Sequence, residues 1–242
     1  NMNAIAGVMI TASHSPKDFA GLKLVHAQAI PLTESTGLGK LRRRIERGKF
    51  VDAKKPGKVT TKDIRKSYQR FVLKGVKKKQ FEGIKIVADA GNRMAGVLLP
   101  LLQEKLPLKI DTMFGKLDGR FPNRGSDPTL YDHQQPLRAR LQKRKYDFGI
   151  AFDGDSDRIA FLDEQGNYIN SAVIGGLIAE KLLQKQSKAK IGITGLTSRS
   201  FEEAIREAGG KPVMMRVGHA FIKDKMRKQD VLFAAEHSAH FY

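Results

Sequence analysis

Short apolar runs alternate with longer amphipathic stretches over most of this chain. The amphipathic stretches at 171–186 and 198–210 have helical spacing, and the second has a serine to cap its start and glycines to end it. Apolar runs typical of buried strands occur at 83–90, 146–152, 158–163, 190–195, 211–217 and 231–236. This alternation predicts an α/β protein built of consecutive domains, with mixed, largely parallel sheets flanked by helices.

The first part of the chain is patterned differently. Residues 5–12 and 22–30 are predicted as strands, and a basic helix is expected over 40–50. A second helix is predicted to open at Thr60, because Thr60 and Asp63 have the spacing of a capping box. We therefore place the predicted domains at 1–59, 60–167 and 168–242, with a basic linker at the end of the first.

The charge of the chain is concentrated in one segment. The formal net charge is +19, and residues 40–79 hold 17 Lys and Arg against three acidic residues, a local net charge of +14. Such a segment can bind nucleic acid or an anionic membrane surface. It can also be a solvated linker and helix face, and we favour that interpretation because no interleaved aromatic residues or nucleic-acid motif accompany the charge.

Composition excludes several classes of protein. The chain of 242 residues has no cysteine, so disulfides and thiolate metal sites are excluded. No apolar stretch is long enough for a membrane span, and no secretory signal is evident, so we expect a cytoplasmic protein. The chain begins with Asn1 and not with methionine, which suggests a piece of a longer protein.

Three aspartates follow the strand predicted at 146–152. Asp153, Asp155 and Asp157 alternate with small residues and are followed at once by Arg158. An EF-hand loop starts in the same way, but position six would be Arg158 instead of glycine, and the flanks are strands. Carboxylates this close repel one another unless a cation lies among them, so the turn is either a Mg²⁺ site with Arg158 placed for a phosphate, or an acidic surface turn.

Two further polar stretches follow predicted strands. Ser13, in "TASHSPKDFAG", is a candidate nucleophile at a strand end, although serines in loops more often cap or solvate. Glu236, His237, Ser238 and His240 follow the last apolar run, at the end of an α/β strand where ligands bind. They suit sugar hydroxyls, while a transition-metal site or an ordinary polar loop remain alternatives.

Together these stretches resemble the α-D-phosphohexomutase family, which includes phosphomannomutases, phosphoglucomutases and phosphoglucosamine mutases. "TASHSP" matches the family's T-x-S-H-N-P serine loop, "DGDSDR" its D-G-D-G-D-R metal loop and "AEHSAH" its G-E-x-S-G-H sugar loop, in the right order. "DAGNRMAG" and "DGRFPNRGSDP" also resemble connecting segments of these enzymes.

The resemblance implies an isomerase of carbohydrate metabolism. It would transfer a phosphoryl group between the 1- and 6-positions of mannose or glucose phosphate, through a phosphoserine and a hexose 1,6-bisphosphate. Ser13 would be the phosphoserine, and its phosphate would bind Mg²⁺ together with Asp153, Asp155 and Asp157. The other implied roles are charge stabilisation by Lys23 and Arg158, a place for His14 in the serine loop and for His240 near the reacting groups, and sugar binding by Glu236, Ser238 and His219.

The chain departs from the family pattern at several positions. Ser15, Ser156, Ala235 and Ala239 replace an asparagine and three glycines, and His237 stands where subfamilies differ in substrate, so the preferred hexose is undecided. Family members have four domains, so we expect a fragment without most of the first domain and all of the fourth. A truncated or degenerate relative that binds phosphosugar and Mg²⁺ without turnover remains an alternative, as does a nucleic-acid-binding protein acting through residues 40–79.

Overall fold

The computed structural model describes residues 3–51, 53–143 and 145–242. The chain divides into two compact units. Unit 1 comprises the residues up to Ile10 and Leu22–Lys74, and unit 2 comprises Thr11–Gly21 and Gly75–Tyr242. The loop that carries Ser13 thus belongs to unit 2, although the strands on either side of it belong to unit 1.

The described residues of unit 1 form one antiparallel strand pair and two short helices. Strand β1 (Ala6–Ile10) pairs with β2 (Leu22–His26), so that Ile10 lies opposite Leu22. A 3₁₀ turn (Ala27–Ala29) follows β2, and a π-helical turn (Glu34–Leu38) leads into α1 (Gly39–Glu46). Helix α2 (Arg65–Val72) completes the unit.

Two of the predicted boundaries in unit 1 are wrong. The strand expected over 22–30 ends at His26, because Gln28 and Ala29 adopt positive φ angles of 61° and 56° that extended strands do not allow. The helix expected from Thr60 opens at Arg65 instead. There the Asp63 carboxylate accepts the backbone N–H of Arg65 at 2.9 Å and also binds its guanidinium, so Asp63 fixes the turn just before the helix.

The larger sheet of unit 2 has five strands in the order β4-β3-β5-β6-β7. The parallel strands β4, β3 and β5 form one side, while β6 and β7 join in antiparallel pairing. The strands are β3 (Lys85–Asp89), β4 (Lys109–Met113), β5 (Phe148–Phe152), β6 (Ile159–Leu162) and β7 (Tyr168–Ile169). A 3₁₀ turn (Lys78–Phe81) precedes the sheet, and the helices are α3 (Ala95–Gln103) and α4 (Tyr131–Lys143).

A second sheet of unit 2 has three parallel strands in the order β10-β8-β9. Its strands are β8 (Lys190–Thr194), β9 (Lys211–Met215) and β10 (Val231–Ala234), and its helices are α5 (Ser171–Leu183), α6 (Arg199–Glu207) and α7 (His219–Gln229). Phe201 and Ile205 of α6 are fully buried against this sheet, and the Ser198 side chain caps the helix as predicted. The predicted α/β architecture with mixed, largely parallel sheets is confirmed.

The apolar core of the five-stranded sheet fixes the edge where the polar residues gather. Val87 of β3 and Ile150 of β5 are buried in clusters that helices α4 and α3 complete. Because β3 and β5 are parallel, the segments that follow Asp89 and Phe152 leave the sheet at the same edge. Among the described residues, no helix combines the length and apolar character that crossing a bilayer requires.

Candidate active site

The three aspartates lie in the tight turn between β5 and β6. Antiparallel pairing of these strands makes the chain reverse within a few residues, and Ser156 takes a positive φ of 63° to do so. One carboxylate oxygen each from Asp153, Asp155 and Asp157 can be chosen so that all lie within 4.8 Å of one another. The turn therefore brings three hard oxygen donors together, and this cluster could hold a metal ion.

The electrostatics of the cluster favour a cation. Asp153 is fully buried, and this burial together with the charges of Asp157 and Asp155 raises the pKa of Asp153 to about 6. Hydrogen bonds from the Arg158 backbone N–H at 3.2 Å and from the Ser13 hydroxyl act in the opposite direction. A bound cation would relieve the repulsion, so the residues present fit a divalent metal.

Ser13 faces this cluster. Its Oγ donates to Asp153 Oδ2 at 3.0 Å, and its backbone N–H donates to Thr11 Oγ1 at 2.9 Å. Thr11 Oγ1 in turn donates to Asp155 Oδ2 at 2.8 Å. Ser13 has a positive φ of 50°, a conformation that non-glycine residues rarely hold without surrounding contacts. These contacts present the hydroxyl to the buried carboxylate.

Neighbouring segments hold the serine loop by its carbonyl groups. Arg93 Nη1 donates to the Ser13 carbonyl at 3.0 Å, and Ser126 Oγ donates to the His14 carbonyl. Gly154 allows this close approach, because a Cβ at that position would lie 2.0 Å from the Ser13 carbonyl oxygen. The loop itself is closed by a hydrogen bond from Thr11 N–H to the Gly21 carbonyl at 2.9 Å.

A buried ion pair fixes the segment that carries Ser126. Arg124 Nε lies 2.8 Å from Asp89 Oδ2, and both side chains are almost wholly buried. Arg124 Nη2 also donates to the Phe152 carbonyl at 2.7 Å. This pair thus ties the segment around residue 124 to the ends of β3 and β5, directly beneath the aspartate turn.

The positively charged guanidinium of Arg158 lies next to the aspartate turn. Its guanidinium lies 3.5 Å from Asp127 Oδ2, 3.5 Å from His14 Nε2 and 3.9 Å from Asp153 Oδ2. Burial and the Arg158 charge lower the pKa of His14, which keeps its imidazole neutral at pH 7. His14 Nδ1 is 3.2 Å from Ser13 Oγ, so the Ser13 hydroxyl lies between a neutral imidazole and the Asp153 carboxylate.

The loop after β10 supplies a second polar cluster. Burial alone would raise the pKa of Glu236, but hydrogen bonds from His240, Tyr242 at 2.7 Å and the Gly218 N–H at 3.2 Å lower it. Burial opposes the charged form of His240, yet its contacts with Asp157 at 3.0 Å and Glu236 at 3.4 Å raise the pKa of His240 to about 9. His240 is therefore an imidazolium at neutral pH and bridges the two loops.

A pocket of about 360 Å³ opens beside this bridge. Asp157, His219 and His240 line it, together with the basic side chains of Lys223 and Arg227. Ser238 Oγ lies 2.9 Å from His240 Nδ1, and the Ala239 carbonyl accepts the Ile159 N–H at 3.1 Å. The loop is thereby fastened to the start of β6, next to the aspartates.

Unit 2 thus brings together the site residues that the sequence singled out, with one exception. Lys23 lies on β2 in unit 1, paired with Met9, and its role stays a prediction. The sequence reasoning missed Arg93, Ser126 and Asp127. They lie in "DAGNRMAG" and "DGRFPNRGSDP", and the position of the first stretch directly after a buried strand was the available signal.

Comparison with known proteins agrees with this geometry. Three models described as phosphoglucomutase/phosphomannomutase alpha/beta/alpha domains I, II and III match residues 1–52, 64–166 and 170–242. The chain is 35% identical over its full length to the phosphohexose mutases of Xanthomonas campestris pv. campestris, covering 54% of that protein. It is 36% identical to the phosphomannomutase of Escherichia coli K12 over 98% of this chain and 53% of that one.

A solved structure gives the same result. The phosphoglucomutase/phosphomannomutase family protein of Burkholderia thailandensis superimposes with a TM-score of 0.90 at 30% identity, over 98% of this chain and 50% of that one. The chain therefore spans about half the length of the curated relatives it matches.

Proposed function

Because the chain belongs to the phosphoglucomutase/phosphomannomutase family, we propose that it is part of a phosphohexomutase. The whole protein would be an isomerase that moves a phosphoryl group between the 1- and 6-positions of a hexose phosphate, mannose or glucose. The reaction would pass through a phosphorylated Ser13 and a hexose 1,6-bisphosphate. The domains would extend over 1–59, 60–167 and 168–242 and would act in the cytoplasm.

One observation carries the proposal most directly: the 3.0 Å hydrogen bond between Ser13 Oγ and the buried carboxylate of Asp153. It places a hydroxyl held in a strained backbone conformation at a cluster of three carboxylates. A serine that only capped a turn would not need a backbone conformation of this kind beside a buried carboxylate.

Asp153, Asp155 and Asp157 would hold Mg²⁺, which prefers oxygen ligands and usually binds substrate phosphate as well. When bound, the ion would neutralise charge on the transferred phosphoryl group. Arg158 would add a second positive charge from the protein, since it can bind a phosphate oxygen while it keeps its contact with Asp127. Phosphoryl transfer depends mainly on such positioning and charge neutralisation.

The protons of the reaction have nearby carriers. When Ser13 accepts a phosphoryl group, its O–H bond breaks as the Oγ–P bond forms. The nearest groups that can take the proton are Asp153, whose Oδ2 accepts this hydrogen at 3.0 Å, and His14, whose Nδ1 lies 3.2 Å from Oγ. The P–O bond to the sugar breaks in the same step, and the sugar oxygen needs a proton. His240, protonated at neutral pH, can give it one.

Glu236, Ser238 and His219 would bind the sugar. Glu236 is an ionised acceptor at the end of β10, and Ser238 offers a hydroxyl beside His240. His219 lines the neighbouring pocket, whose Lys223 and Arg227 suit the phosphate that does not react. Lys23 would stabilise charge during transfer, as the family resemblance implies.

Mass spectrometry of the Ser13 peptide tests the proposal. The protein is incubated with Mg²⁺ and glucose 1,6-bisphosphate, and a gain of one phosphate on Ser13 is expected. Ser13→Ala should abolish the uptake, Asp155→Asn should weaken its dependence on Mg²⁺, and Ser15→Ala should leave it unchanged. An unmodified Ser13 in the wild-type chain would contradict phosphotransfer by this chain and favour a binding remnant.

A further inference from the structure

Arg93 is a buried cation at the candidate active site that the proposed roles leave unexplained. It lies just after β3, only 6% exposed, and donates from Nη1 to the Ser13 carbonyl at 3.0 Å. Its guanidinium carbon lies 3.2 Å from the ring centroid of Phe121. On its other side it packs against Gly154, where a Cβ would lie 2.4 Å from Nη1. Arg93 therefore fills the space between the serine loop and the aspartate turn.

Two other nitrogen atoms of Arg93 are unsatisfied hydrogen-bond donors in the described part of the chain. Among the residues that the structure describes, neither Nε nor Nη2 of Arg93 meets a hydrogen-bond acceptor, and both atoms are buried. Burial and the charge of Arg124 lower the pKa of Arg93 to about 10, against the attraction of Asp153 and Asp155, so it remains charged at neutral pH. Burying a charge with unsatisfied donors is unfavourable for folding, so a purely structural role explains this side chain poorly.

We propose that Arg93 is a positioning residue for the phosphoserine: it holds Ser13 by its carbonyl, and its charge favours a phosphate on Ser13 over a bare metal at the aspartates. The inference rests on the proposed function. A fixed cation near Asp153 and Asp155 repels a divalent ion, which lowers metal affinity while Ser13 is unmodified. The same cation attracts the negative charge that a phosphoryl group brings to Ser13, so Arg93 couples metal binding to phosphorylation.

Two substitutions separate the hydrogen bond from the charge. Arg93→Gln keeps a donor for the Ser13 carbonyl and removes the charge, whereas Arg93→Lys keeps the charge. Arg120→Gln is the matched control, because Arg120 is 85% exposed and its guanidinium pairs with Asp118, which is not one of the proposed site residues. Each variant is measured for Mn²⁺ affinity by electron paramagnetic resonance and for the rate of Ser13 phosphorylation by glucose 1,6-bisphosphate, with the melting temperature as a check on folding.

Arg93→Gln should bind Mn²⁺ about tenfold more tightly, because a repelling charge is gone. It should also take up phosphate on Ser13 about 100-fold more slowly, because the reacting groups lose their electrostatic support. Arg93→Lys and Arg120→Gln should stay within about threefold of wild type in both measurements. Tighter metal binding is a result that simple loosening of the loop does not produce.

Unchanged or weaker Mn²⁺ binding by Arg93→Gln would overturn the inference. If the Gln variant does not fold, Arg93→Met replaces it in the Mn²⁺ measurement alone, because Met removes the charge and also the donor to the Ser13 carbonyl. If neither folds, Arg93 is a structural residue and the inference is wrong. A wild-type chain that takes up no phosphate would refute the proposed function, and the Mn²⁺ measurement would still decide whether Arg93 sets metal affinity.

Discussion

Removing one partner of the buried Arg124–Asp89 ion pair is expected to cost more stability than breaking an exposed pair such as Arg120–Asp118. Both side chains are almost wholly buried, and Arg124 also donates to the Phe152 and Gly125 carbonyls at 2.7 Å and 2.9 Å. Replacing Arg124 by Met leaves the Asp89 carboxylate buried with the Gly91 N–H as its remaining described hydrogen-bond donor. Removing one partner of a buried pair costs about 3–5 kcal/mol, so we expect Arg124→Met to lose about that much.

Urea unfolding followed by circular dichroism measures this loss. With a slope of about 2–3 kcal/mol per molar urea, the midpoint should fall by about 1–2.5 M at pH 7. The loss should also depend on pH. Burial raises the pKa of Asp89 and the Arg124 charge opposes this, so without Arg124 the pKa of Asp89 rises further. The folded variant then binds a proton more readily than the unfolded chain, and its deficit should shrink as the pH is lowered.

The matched control is Arg120→Met, which removes one arginine from a pair in which Arg120 is 85% exposed. Such exposed pairs contribute little, so its midpoint should not change measurably. Equal midpoints for Arg124→Met and Arg120→Met would refute the reasoning. So would a deficit of Arg124→Met that is the same at pH 5 and pH 8, since the buried carboxylate would then not be its cause.

Two further predictions concern the site loops. Gly154→Ala should abolish phosphorylation of Ser13, because the new Cβ would lie 2.0 Å from the Ser13 carbonyl oxygen. Gly57→Ala is the control and should have no effect, because a Cβ there meets nothing within 4 Å. Phosphate uptake by the Gly154→Ala variant, measured by mass spectrometry, would show that this close contact is not needed for the reaction. Hydrogen bonds lower the pKa of Glu236, so its stabilising contribution is present above the unfolded value of 4.5 and is lost as the pH falls through the folded value. Glu236→Gln should therefore melt below wild type at pH 7, and this difference should narrow towards pH 3; a constant difference would show that the Glu236 charge is not involved.

The elements that could be predicted from the sequence are those with a continuous apolar signal. Strands β3, β5 and β8 are buried along most of their length, and α6 has both a serine cap and a regular apolar face. Helix α4 escaped prediction because its buried face includes Gln134 beside Leu137 and Leu141, and Pro136 lies within it. Gln134 is accommodated by a 2.9 Å hydrogen bond to the Pro128 carbonyl, which no periodic pattern reveals.

The candidate site shows a similar division. The aspartates, Ser13 and the Glu236 loop each follow a strand and carry several polar residues close in sequence, so local patterns marked them. Arg93 and Ser126 donate hydrogen bonds to backbone carbonyl groups of the serine loop. Every residue has such a carbonyl group, so the sequence does not indicate which of them will accept a side-chain hydrogen bond. Asp127 joins the site through its contact with Arg158, which lies 31 residues further along the chain, and no local pattern links the two.

The closed loop Thr11–Gly21 has a consequence for how this protein can be divided. Its two ends are joined by the Thr11–Gly21 hydrogen bond, and its contacts are with the aspartate turn and the segment around Ser126. A cut after Lys74 would therefore leave a C-terminal piece that holds the three aspartates, Arg158 and the Glu236 loop but lacks Ser13. Ser13 and the three aspartates lie on opposite sides of the basic segment 40–79 in sequence, so recombination within that segment would combine a serine loop and an aspartate turn from two different parents.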